Sequence, residues 1–114
     1  MKSAESLYPL EIDFGDESMK EFCDRVMAVK TKIRRRKEYF WFLAERNLLA
    51  ALVLYNGTLD VDKIQKQLER GLGALKNLPA DHPAAKYYNL IKSHPRTVRE
   101  NIIIGLLVRL TSLY

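Results

Sequence analysis

Residues 36–55, RKEYFWFLAERNLLAALVLY, decide the fold. Within them Phe40, Leu43, Ala44, Leu48, Ala51, Leu52 and Tyr55 recur at helical spacing and form a wide apolar stripe. Arg46 falls opposite the stripe and Glu45 at its edge. Asn56-Gly57 follows as a stop, because glycine supplies the left-handed conformation that a helix C-terminus needs.

Helical signals continue in the flanking segments. Ser18 with Glu21 three residues later is a capping box, and Met19, Phe22, Cys23, Val26, Met27 and Val29 follow as an apolar stripe. A third helix is expected from about Asp60 to Leu75, capped by Thr58 or Asp60, with Ile64, Leu68, Leu72 and Leu75 inward. Gly71 and Gly73 weaken its last turns. Asp81 is expected to cap a short fourth helix, with Pro83 in its first turn. Ser93-His94-Pro95 then breaks the chain. A last helix from about Pro95 to Leu113 is apolar nearly all round from Ile102 to Val108, which predicts a central position. The fold class is therefore all-α, a single compact bundle of about five helices. Residues 1–17 read as an extended lead-in, where Leu10, Ile12 and Phe14 alternate with acids; residues 18–114 read as the helical domain.

Charge is unevenly placed. Residues 1–29 hold three basic and seven acidic side chains, net −4; residues 30–114 hold sixteen and seven, net +9. Six of the eight positions from 30 to 37 are basic: Lys30, Lys32, Arg34, Arg35, Arg36 and Lys37. The aromatic block Tyr39-Phe40-Trp41-Phe42 comes one residue later. A dense positive run is costly to pack against itself, so it is solvated or matched to an anionic partner. The aromatic block calls for burial, and Trp41 is expected to anchor the core.

No run of about 18 apolar residues exists, and the N-terminal MKSAESLYPLEID lacks the apolar stretch of a signal peptide. Cys23 is the single cysteine, which suits a cytoplasmic chain, and it is expected as a buried small hydrophobe. No phosphate-binding glycine loop and no cysteine–histidine metal pattern appear, so no cofactor is implied. His82 and His94 each precede a proline and read as helix-start residues. Tyr87-Tyr88 is expected to split, one inward and one outward. Glu45 and Glu100 adjoin Arg46 and Arg99, which predicts structural ion pairs or exposure, with no catalytic constellation.

The combination of Phe40-Trp41, Ala44, Glu45, Leu48-Leu49-Ala50-Ala51-Leu52 and Tyr55 resembles the helix that opens the all-alpha domain of type IV secretion coupling proteins. These are the hexameric, membrane-anchored ATPases of bacterial conjugation. Asp81-His82-Pro83-Ala84-Ala85-Lys86-Tyr87-Tyr88, Arg96-Thr97, Asn101-Ile102-Ile103-Ile104-Gly105 and Arg109-Leu110 are similar to the closing helices of that domain in Gram-positive members. The likeness covers roughly residues 36–114 and rests on packing residues. The family's ATPase core, with its Walker motifs, is wholly absent.

The resemblance implies a domain excised from a larger ATPase, both ends being cut points. It implies a fold similar to the N-terminal DNA-binding domain of tyrosine recombinases, in the cytoplasm and without direct membrane contact. It implies a role in receiving the substrate, a relaxase bound to single-stranded DNA. The expected partners are DNA, relaxase or another relaxosome protein, and the parent's ATPase core. The candidate contacts are Lys30, Lys32, Arg34, Arg35, Arg36 and Lys37, with Lys86, Lys92, Arg96 and Arg99 as a second group. Alternatives for the run are a solvated helix entrance or a docking site for the missing core. Alternatives for the chain are a free-standing DNA-binding protein and a small helical enzyme that holds an anionic metabolite on its arginines.

Overall fold

The computed structural model describes residues 18–29 and 38–113. Among them five α-helices occur: α1 (Met19–Met27), α2 (Glu38–Asn56), α3 (Val61–Glu69), α4 (Pro83–Lys92) and α5 (Arg96–Thr111). A short 3-10 helix, Gly73–Asn77, lies between α3 and α4. The protein is an all-α bundle. The lead-in at residues 1–17 and the basic run at residues 30–37 lie outside the described residues.

The hub is α2, which packs on α1, α3, α4 and α5. Its six consecutive residues Leu48, Leu49, Ala50, Ala51, Leu52 and Val53 are all fully buried. Six residues turn through more than a full helical circle, so this stretch has a neighbour on every side. The central position expected of the last helix therefore belongs to α2. The face of α5 carrying Ile102, Leu106 and Leu110 is buried, while Ile104 is 52% exposed. Two buried positions of α2 are alanines, and small side chains let flanking helices approach closely. Cutting Leu48 or Leu52 to alanine would cost about 2–5 kcal/mol.

Local chemistry sets the helix ends. Ser18 Oγ accepts from the Glu21 amide (3.2 Å), and the Glu21 carboxylate accepts from the Ser18 amide (3.0 Å), so the expected capping box is present. Gly57 stops α2 at a φ of 65°. Asp60 caps α3 by accepting from the Asp62 amide, with Thr58 Oγ1 bonded to the Asp60 amide.

Four expectations are corrected. The third helix does not run to Leu75: Gly71 takes a φ of 93° and ends it, and the chain re-enters as the 3-10 helix. Leu75 stays buried at 1% exposure, so the inward pattern survives the break. The cap of α4 is His82, not Asp81; its Nδ1 accepts from the Ala84 amide at 3.0 Å. The reason is Pro83, which forces the residue before it out of the helical region, here to φ −68° and ψ 135°. Pro95 likewise caps α5 and lies outside it. Finally, Tyr87 and Tyr88 are both buried, at 1% and 4% exposure. Neighbours on a helix point 100° apart, and α4 lies so closely along α2 that both directions meet protein.

Candidate nucleic-acid or partner interface

The buried charges lie beside the end of α1, where Val29 precedes the basic run in sequence. Glu45 on α2 is fully buried, and the Arg109 side chain on α5 is 8% exposed. Arg109 Nε donates to Glu45 Oε1 at 2.7 Å. Its Nη1 donates to the carbonyl of Met27, the last residue of α1, at 3.0 Å, and also to the carbonyl of Val29. One guanidinium thus joins three helices and satisfies carbonyls that the end of α1 leaves open. It also places a positive charge at the negative end of the α1 dipole. The Phe42 ring lies 5.8 Å from the guanidinium carbon. An ion pair was expected for Glu45, but with a different outcome for its neighbour: Arg46 is half-buried, 3.9 Å from Asp24 of α1. Burial lowers the pKa of Arg46.

Val29 is the residue before Lys30, so Arg109 fixes the point where the chain enters the basic run. The exit is also fixed. Phe40, three residues after Lys37, meets the His94 ring edge-on at 5.4 Å, and Phe40 meets Trp41 at 5.0 Å. Trp41 is half-buried against the core, as expected, whereas Tyr39 is 73% exposed. The entry anchor sits near the end of α5 and the exit anchor at its start. From Arg96 to Arg109 that helix spans about 20 Å at its standard rise.

The second group of expected contacts divides. Lys86 is exposed on α4, its ammonium 5.6 Å from the Tyr87 ring centroid. Lys92 is exposed in the last turn of α4. Arg96 is exposed and bridges to Glu100 one turn on, at 2.9 Å. Arg99 is half-buried. Arg96 and Arg99 come together on one open groove of about 350 Å³, which neither Lys86 nor Lys92 lines. Lys76, from the 3-10 helix, joins them there. Sequence reasoning missed Lys76, since only the Gly71 break turns that segment back toward α5.

Cys23 is buried in the core as a small hydrophobe. Among the described residues no group of three or more acidic, cysteine or histidine side chains is placed to hold a metal. No described helix is long and apolar enough to cross a membrane. Burial raises the Tyr87 phenol well above the ordinary tyrosine range. Comparison with protein-family models, with curated proteins and with solved structures gives no match in any of the three.

Proposed function

We propose that this domain is a substrate-recognition module of the conjugative coupling-protein kind, binding DNA, relaxase or both for transfer. One observation carries the reading. The Phe40–His94 contact brings the first turn of α2, which follows the basic run in sequence, against the α4–α5 loop, which Lys92 and Arg96 flank. Lys92 and Arg96 are both exposed there, and cations gathered on one surface concentrate positive potential. Phosphate neutralisation with counterion release supplies affinity with little sequence information. Of the residues that carry the resemblance, Ala44, Glu45 and Leu48 to Leu52 are buried, while Asp81, Lys86, Arg96 and Asn101 are exposed.

The test is binding of a fluorescent oligothymidine across a salt series. Replacing Arg34, Arg35 and Arg36 together by alanine should weaken binding and flatten the log–log salt slope by about 2, at roughly 0.7 per phosphate contact on a single strand. An unchanged slope removes the run from the interface. A pull-down of the cognate relaxase, with and without nuclease, separates protein recognition from DNA binding. Sequence-specific protection in a footprint would point instead to a free-standing DNA-binding protein.

A further inference from the structure

The groove between the 3-10 helix, α4 and α5 has a rim and a floor of different character. Its rim carries Lys76, Arg96 and Arg99; its floor is Leu72, Tyr88 and Ile103. Glu100 is the one carboxylate among the lining residues, and Arg96 engages it at 2.9 Å. No ion pair engages Lys76 or Arg99 among the described residues, so the rim holds a net positive charge that nothing there offsets.

We infer that this groove receives an acidic peptide segment of a protein partner, one that seats one or two apolar side chains between carboxylates. Two free cations set over apolar surface complement an anion that is itself partly apolar. Arg99 presents a planar fork that takes a carboxylate through two parallel hydrogen bonds, and Lys76 adds a mobile point charge. The Leu72 and Ile103 side chains offer a seat for a leucine or phenylalanine anchor, the kind of residue that dominates interface energetics.

The volume suits one or two side chains and lies at the lower end of small-molecule sites, which enclose most of their ligand. An open groove encloses little, whereas a peptide continues past its anchor and makes use of the rim on both sides. Single-stranded nucleic acid fits less well. It calls for exposed aromatic faces on which bases stack, and Tyr88 is 4% exposed. The inference deepens the substrate-receptor reading, and rests on it for the partner's being a transferred protein.

The experiment is a titration of the isotope-labelled domain with a synthetic peptide, Glu-Asp-Leu-Phe-Asp-Glu, followed by amide chemical shifts. Shifts are expected at Leu72, Lys76, Arg99 and Ile103. Arg99→Glu and, separately, Lys76→Glu should each weaken the peptide about tenfold or more, as for a lost hydrogen bond to a charged group. Both sites are outside the fully buried core, and unchanged thermal unfolding of each variant shows that the bundle is intact. A peptide with serine in place of Leu-Phe should bind at least about tenfold more weakly, from the lost apolar burial.

The inference is overturned if no groove amide moves at millimolar peptide, or if the serine peptide binds equally well. It is also overturned if oligothymidine shifts the groove amides and the peptide does not. Peptide failure alongside salt-dependent DNA binding removes the groove assignment and leaves the receptor reading standing. Peptide binding without relaxase or DNA binding does the reverse.

Discussion

Replacing Arg109 by alanine removes the cation that the fully buried Glu45 carboxylate faces at 2.7 Å. It also removes the donor to the Met27 and Val29 carbonyls. Removing one member of a buried ion pair costs about 3–5 kcal/mol, because the remaining charge stays out of water without its counter-ion. The two carbonyls add less, about 1 kcal/mol together, since Val29 is half-buried and water reaches the end of α1. The expected loss is about 4–6 kcal/mol, against a total of about 5–15 kcal/mol for an ordinary domain. Urea unfolding followed by far-ultraviolet circular dichroism measures it, with a constant slope confirming a change in stability alone. Hydrogen exchange should show the α1 amides losing protection first, because α1 loses its tie to α5. The double variant Glu45→Leu with Arg109→Met is the decisive control. It leaves no buried charge, so its loss should be smaller than that of either single variant, about 1–2 kcal/mol. A loss below about 1 kcal/mol for Arg109→Ala, or a double variant equal to the sum of the singles, would refute the coupling.

Two further predictions concern backbone and pH. Gly71→Ala should cost about 1–2 kcal/mol, from the left-handed backbone alone, since an added Cβ meets nothing within 4 Å. Gly73→Ala, equally uncrowded and without a positive φ, should be neutral or slightly stabilising, by about 0.4–1 kcal/mol; equal effects at both sites would contradict this. The raised pKa of Tyr87 means that folding favours its neutral form. Its contribution is complete below the unfolded pKa of about 10 and declines as pH rises above it. Tyr87→Phe should therefore show a shallower loss of stability than the parent between about pH 9 and 11, and parallel curves would sink the assignment.

The helices were legible because their signals are local. The Ser18–Glu21 capping box and the Gly57 stop each lie within a few residues and appear where expected, and α2 forms a helix over the expected segment although its middle is buried on every side. The His82 cap was legible in principle, since Pro83 dictates an extended residue before it. The Gly71 break was half-read: the glycine was noticed, but whether it bends a helix or ends one depends on what Leu72 and Leu75 pack against. The candidate interface was less accessible. Lys76, Arg96 and Arg99 come from separate elements, and no pattern in the chain pairs a 3-10 helix with the first turns of α5.

The amino-acid sequence alone determined that this chain is an all-helical bundle with a strongly basic stretch before its longest helix. Periodicity, caps and breakers act over one or two turns, so they survive without knowledge of the fold. Only the tertiary structure decided which charges are structural and which are available. Glu45 and Arg46 are neighbours on one helix, yet one is fully buried against Arg109, 64 residues away, and the other reaches toward α1. Because helices meet α2 on several faces, the fate of each polar residue on it depends on which helix arrives at its face. That is settled by packing between distant segments.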